Sequence, residues 1–333
     1  VSHPKDGGSN DRRNEGLGEG KTVIKTATRG QNQLAGIMLA LGALFLFSLL
    51  DVQAKYLGQT LPVSQVVWAR YFGHFAVMAV IFMPRRGLGL FRTRRPGLQL
   101  VRSILLLLCT AAFFTAIQYM PLADAVSISF VSPLLVTALS VPLLGEVVGP
   151  RRWSAVAVGF LGAMIIVRPG LGVMHWAAWL LLVMALGFAL YQITTRMLSR
   201  TDDPITTLFF SAIVGAGAMS LIVPFFWQMP LEPEHWLMLS SLGIIGGVGH
   251  YALIKSFQFA PVAVLAPLAY TALLWNTLFG YLVFGDLPDR WTLIGASVLV
   301  ATGIYILYRE GVRGREAAGN TAGNATGAMD QST

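Results

Sequence analysis

The chain has 333 residues, of which 55% are hydrophobic and only 12% charged, and its mean hydropathy is +0.63. A soluble domain carries about 25% charged residues, so this composition excludes an ordinary soluble protein and leaves an integral membrane protein. The net charge of +8 sits in short loops and tails, without aromatic interleaving or a basic recognition helix. That excludes nucleic acid as a partner and points to membrane lipid.

In chain order, residues 1–33 are polar and Gly-rich and predict a disordered cytoplasmic tail with no secretory leader. Ten apolar segments follow, at about 34–57, 63–83, 98–120, 122–144, 151–168, 174–198, 204–226, 236–258, 262–284 and 290–308. Turns at Met120-Pro121 and Ala260-Pro261 divide runs too long for one crossing. Residues 310–333 predict a second disordered tail, and the sequon at Asn324 within it is a chance match if that tail is cytoplasmic. The single cysteine, Cys109, lies in an apolar run, reads as a small buried hydrophobe, and allows no disulfide framework or Cys-based metal site.

Cations orient the chain. With the N-terminus inside, the inner loops and C-terminal tail hold Arg85, Arg86, Arg92, Arg94, Arg95, Arg151, Arg152, Arg196, Arg200, Arg309, Arg313 and Arg315. The outer loops hold only Lys55, Arg168 and Arg290. This bias predicts both termini in the cytoplasm and a multi-pass protein of a bacterial inner membrane.

The two halves repeat each other. Gln118-Tyr-Met-Pro121 leads to Leu144-Gly-Glu146, and Gln258-Phe-Ala-Pro261 leads to Phe284-Gly-Asp286, at a gapless shift of 140. Phe47, Asp51 and Lys55 fall opposite Phe188, Gln192 and Arg196 at a shift of 141. Five spans per half force the second half to enter from the opposite face. The fold class is therefore an all-α membrane protein of ten transmembrane helices in a 5+5 inverted-topology repeat, with repeats at 34–170 and 171–309. Many secondary transporters are built this way, with substrate held near the midplane between the halves.

The residues Arg70 in WARYF, Arg102, Pro121…Ser132-Pro133-Leu134…Leu144-Gly145-Glu146, and Ala266-Pro-Leu-Ala-Tyr270-Thr…Leu274-Trp275…Phe284-Gly-Asp286 carry a resemblance. Over roughly 34–310 the chain resembles the EamA family of the drug/metabolite transporter superfamily. It departs from the repeat in having Leu273 opposite Pro133. The resemblance implies a central cavity lined by helices 1, 3, 4, 6, 8 and 9. The APLAYT…LLW version is similar to a subgroup containing riboflavin and S-adenosylmethionine uptake proteins.

Charged and polar groups inside apolar helices mark candidate substrate or gate positions, because each costs at least about 2.5–3.5 kcal/mol without a partner or water. Asp51 and Arg70 lie about six and seven residues from the outer ends of helices 1 and 2, which at about 1.5 Å per residue sets them at one depth and predicts a contact, direct or through water. That contact reads equally as a gate and as a structural ion pair. Arg102 reads as a contact to substrate or to the inner gate; Lys255 reads as a snorkelling lysine. Tyr191, Gln192, Tyr270, Trp275 and Asn276 offer rings and amides for a planar, partly polar solute. His74 and His250 fit a proton relay, although a hydrogen-bonded neutral histidine is the commoner use of that position. Gly243, Gly247 and Gly249 allow close helix approach.

The residues contain no Walker loop, G-x-S-x-G, H-E-x-x-H or post-strand GxGxxG, so neither an ATP-driven pump nor one of these enzyme types is expected. No cofactor, metal or catalytic residue is expected, and the sequence leaves a homodimer open. The substrate reading is riboflavin uptake first, S-adenosylmethionine uptake second, and export of amino acids, drugs or metabolites third; a membrane-embedded enzyme is the rival class.

Overall fold

A computed structural model describes the backbone of residues 12–145, 148–168, 176–306 and 308, and side chains from residue 33 onward apart from 262, 263 and 266. Among the described residues ten helices form one bundle. They are α1 (Arg12–Leu57), α2 (Val63–Arg86), α3 (Pro96–Ala116), α4 (Leu122–Leu144), α5 (Pro150–Val167), α6 (Trp176–Leu198), α7 (Pro204–Ile222), α8 (Pro233–Phe259), α9 (residues 262–284) and α10 (Arg290–Ile306). Nine are long and apolar enough to cross a membrane, and Arg290–Ile306 is a shorter apolar helix.

Proline sets most of the starts. It stands in the first turn of α3, α5, α7 and α8, where its missing N–H would have no helical partner. Asp203 caps α7 by accepting the Ile205 N–H at 2.7 Å. The helical backbone of α1 begins at Arg12, within the stretch expected as a tail. The apolar part of α1 is confined to Gln33–Leu57. The second expected tail and Glu146 lie outside the described residues.

The repeat is visible in the backbone. Gly145 and Gly285, which the sequence sets 140 apart, end α4 and α9 with φ of 69° and 72°, a left-handed turn that favours glycine. Both helices are also interrupted at matching heights. The α4 helix stops at Ser129 and resumes at Ser132, next to Pro133; α9 is tightened into a 3-10 turn over Ala266–Tyr270, around Pro267. Packing obeys the same exchange of halves. The α1–α8 pair corresponds to α6–α3, α2–α8 to α7–α3, and α1–α9 to α6–α4.

Fixed links join the halves at both ends of the bundle. At the end where α2 meets α3, Asp202 accepts bonds from Thr93, from the Arg94 N–H at 3.1 Å and from Gln99 at 2.9 Å; beside it Arg86 pairs with Asp203 at 3.0 Å. Burial pushes the Asp202 carboxyl up, but Thr93, Gln99 and the Arg94 N–H outweigh it and hold the carboxyl below the usual range. The stabilisation it brings is therefore present above the ordinary carboxylate pKa and is lost as pH falls through the lowered one. At the opposite end Gln65 exchanges two hydrogen bonds with the backbone of Gln228, at 3.0 and 3.1 Å.

Candidate functional site

A polar stripe runs down α3. Gln99, Arg102, Ser103 and Thr110 are buried on one face of an otherwise apolar helix. Arg102, 3% exposed, donates from Nε to the Thr195 hydroxyl at 2.7 Å and from Nη2 to the Tyr191 hydroxyl at 2.8 Å. From Nη1 it reaches the Ser211 hydroxyl at 2.5 Å and the Thr207 carbonyl at 3.1 Å, and its guanidinium lies 4.6 Å from the Tyr191 ring centre. This one side chain ties α3 to α6 and α7 across the repeat boundary. None of its partners is a carboxylate.

Arg70 projects from α2 toward α3. It donates to the Thr110 hydroxyl at 2.8 Å and lies against the Tyr71 and Phe114 rings, with centroid distances of 5.6 and 5.4 Å. Tyr71 shares Thr110 through a 3.0 Å contact between hydroxyls. Asp51 on α1 faces the Asn276 amide of α9 and lies within electrostatic reach of Arg70. The two charges do not form a direct ion pair: the pairs among the described residues are Lys55–Asp286, Arg86–Asp203 and Arg168–Asp289. The remaining form of the expected contact is one made across a gap. Both residues are only partly buried.

The rings expected to share one cavity face are dispersed. Tyr191 stacks on Phe188 at 5.4 Å beneath Arg102. Tyr270 meets Phe130 edge-on at 5.0 Å, and its hydroxyl abuts Gly303 of α10. Trp275 packs edge-on against Phe45 of α1 at 5.2 Å, and its Nε1 is buried without a hydrogen-bond partner. The sequence shows all three on helices 6 and 9, but which way a ring turns depends on its neighbours. Phe130 and Tyr270 are equivalents in the two repeats, so the interrupted stretches of α4 and α9 touch there. Asn276, 1% exposed, donates to Ser48 of α1 and to the Ala272 carbonyl, both at 2.9 Å, leaving its Oδ1 buried without a partner. Gln192 is half-buried on α6 and makes no hydrogen bond among the described residues.

The glycines of α8 bring the two histidines together. A Cβ on Gly243 would meet the backbone of Gly73, and one on Gly249 would meet the Phe47 ring at 2.8 Å. At this close crossing His74 and His250 stack nearly parallel, 7° apart with centroids at 5.4 Å, and Phe47 covers His250 at 4.8 Å. Lys255 donates to Gln258 at 3.1 Å in an exposed contact. Asp124 stands in the first turn of α4, where the helix dipole favours it.

At the end of the bundle opposite the termini, Lys55 of α1 is 9% exposed and pairs with Asp286, just past α9, at 2.7 Å. It also donates to the Met120 carbonyl at 3.1 Å and lies 4.7 Å from the Phe284 ring centre. Arg168 pairs with Asp289 nearby. Burial pushes the Asp289 carboxyl up, yet Thr292 and Arg168 hold it below the usual range. In the sequence Lys55 stands out as a loop cation and as the repeat equivalent of Arg196, and neither feature reveals this bridge. The sequence reading missed Thr110, Thr195, Thr207 and Ser211. Thr110 was detectable as a polar residue eight positions beyond Arg102, on the same helical face; the others only tertiary packing brings in. Among the described residues no group of three or more His, Cys, Asp or Glu could hold a metal ion.

Two equivalent sets of five helices around a charged, hydrogen-bonded interior define a multi-pass membrane transporter of the inverted-repeat class. The EamA-like transporter family matches residues 34–168 and again 175–309, and the chain belongs to that family. It is 28% identical over 277 residues to an S-adenosylmethionine uptake transporter of Rickettsia prowazekii, covering 83% of this chain and 94% of that protein. It is 30% identical over 277 residues to a riboflavin transporter of Rhizobium johnstonii, covering 82% and 90%. A pseudopaline exporter of Pseudomonas aeruginosa is 28% identical over 273 residues, covering 80% and 93%. A crystal structure 20% identical in sequence shares the fold with a TM-score of 0.58 over 80% of this chain and 94% of that one.

Proposed function

We propose that this protein is a secondary transporter that carries a small metabolite across a bacterial cytoplasmic membrane by alternating access. The observation that carries the reading is the set of charges inside the bundle, the half-buried Asp51 and Arg70 and the buried Arg102, which lack ion-pair partners among the described residues. An interior charge is costly in hydrocarbon and is retained where a solute passes. The substrate is a metabolite with a planar ring system, taken up rather than exported. Riboflavin and S-adenosylmethionine are two such solutes for which similar proteins are named. The flavin reading needs Tyr191, Tyr270 and Trp275 to meet one planar solute, and each ring packs against its own neighbour, Phe188, Phe130 and Phe45 in turn.

The test is uptake of labelled riboflavin and S-adenosylmethionine into liposomes containing the purified protein. Accumulation of either supports transport. Chemical conversion of a solute without accumulation would make the protein an enzyme and sink the proposal.

The orientation follows from the loop cations. Reporter fusions after residue 90 and after residue 315 are expected to signal cytoplasm, and one near residue 230 the outside. A cytoplasmic signal at 230 breaks the ten-helix arrangement.

With that orientation the Lys55–Asp286 bridge closes the outer end: it must part for solute to enter and re-form before the inner end opens, so its loss destabilises the outer-closed state that the cycle passes through. Lys55→Met and Asp286→Asn are each expected to slow uptake roughly three- to tenfold, the scale of a charge-assisted bond of up to about 1.5 kcal/mol at a partly solvated site. The reciprocal exchange, Lys55→Asp with Asp286→Lys, recovers part of the loss. Additive losses in that cycle would mean the pair is not coupled during transport.

A further inference from the structure

We propose that Asp51 and Arg70 form a divided site for a zwitterionic solute, Arg70 taking its carboxylate and Asp51 its ammonium group. The inference rests on the transport reading above and names the chemistry of the substrate at the centre of the bundle.

The two side chains carry opposite charges within electrostatic reach of one another, yet they form no direct ion pair among the described residues. Arg70 is steadied by Thr110 and by the Tyr71 and Phe114 rings. A guanidinium can donate five hydrogen bonds, and one from Arg70 is used. Its planar fork matches the two oxygens of a carboxylate. Ser48, one helical turn before Asp51 on α1, accepts a hydrogen bond from the Asn276 amide. A structural ion pair would close the gap between them. Two opposite charges that lack ion-pair partners match a ligand that bears the complementary pair.

Two further atoms point the same way. Asn276 Oδ1 and Trp275 Nε1 are adjacent in sequence on α9, buried, and without hydrogen-bond partners. Orphaned buried polar atoms are uncommon because each loses its water without replacement, and a ligand's ammonium and acceptor groups would satisfy both. A neutral solute can hydrogen-bond to the two orphaned atoms but leaves the charges of Arg70 and Asp51 uncompensated. This separates the candidate substrates: the amino-acid end of S-adenosylmethionine carries both charges, whereas riboflavin carries neither.

The experiment uses the full chain in liposomes. Three probes compete against labelled S-adenosylmethionine uptake: the unlabelled parent, its decarboxylated analogue and its deaminated analogue. Binding of each probe is followed in parallel by its shift of the thermal unfolding midpoint. In the wild type each truncated analogue is expected to bind at least about tenfold more weakly than the parent, the loss of one charge-assisted contact. Arg70→Gln lowers the parent to the level of the decarboxylated analogue and leaves that analogue unchanged. Asp51→Asn does the same with respect to the deaminated analogue. Arg70→Lys, which keeps the charge, retains part of the preference and shows that the site has folded.

The proposal is overturned if the decarboxylated analogue binds as well as the parent, or if Arg70→Gln weakens both alike. Uptake of riboflavin with none of the three probes binding overturns the zwitterion site and keeps the transporter. Absence of uptake and binding for every solute defeats the transport reading, and the inference with it.

Discussion

Replacing Arg102 with methionine is expected to stop uptake while the protein stays folded. The guanidinium is almost fully buried, and its partners are three hydroxyls and a carbonyl, with no acid among them. A buried charge without a counter-charge stabilises a fold poorly; replacing buried ionic groups with apolar ones of similar volume is often neutral or stabilising, by about 1–4 kcal/mol. Its retention here follows from what it holds. It fixes the Tyr191 ring and joins α3 of one repeat to α6 and α7 of the other, helices that would move relative to one another in the proposed alternating access. A hydrogen bond to a charged group is worth about 1.5–3 kcal/mol, so losing one such restraint lowers uptake roughly ten- to hundredfold, and losing all four lowers it further. Arg102→Lys keeps the charge without the fork and falls in between. Uptake and unfolding midpoint are measured on the same preparation. A fall in uptake that merely tracks the fraction of folded protein would make Arg102 a structural residue.

Gly243→Val is expected to have the opposite profile, a large loss of stability that removes uptake by unfolding the bundle. The Cβ of any residue at 243 would run into the Gly73 backbone and come within 2.6 Å of the His74 nitrogen. Backbone cannot rotate aside as a flexible side chain can. The α2–α8 crossing must open, and the His74–His250 stack with it. Overpacking costs about 1–3 kcal/mol in adaptable cores, and this position belongs at the upper end or beyond. Gly217→Ala is the control. A Cβ there meets nothing within 4 Å, so the change is neutral or stabilising by up to about 1 kcal/mol through helix propensity. Equal destabilisation by both changes would mean that helix propensity, not the crossing, decides the effect.

Gly243 also separates what a sequence can convey from what it cannot. Glycines at 243, 247 and 249 are legible as permission for close approach. That Gly243 meets Gly73 is not, because contact between helices depends on crossing angle and register, which no single helix specifies. Arg102 makes the same point from the polar side. Its cost in hydrocarbon singles it out from composition alone, whereas Tyr191, Thr195, Thr207 and Ser211 are ordinary residues until packing turns them toward it.

The sequence by itself determined the membrane class, the ten helices, the two-fold repeat and the paired glycine turns at Gly145 and Gly285. Those features follow from local rules: hydrocarbon thickness sets span length, five spans per half invert the second half, and left-handed turns favour glycine. Only the tertiary structure decided which polar side chains meet. It kept Asp51 and Arg70 apart, dispersed Tyr191, Tyr270 and Trp275, stacked His74 on His250 and joined Lys55 to Asp286 across 231 residues of chain. Partner choice between helices is a balance of side-chain packing and desolvation over the whole bundle, and it is settled only when all ten helices are in place.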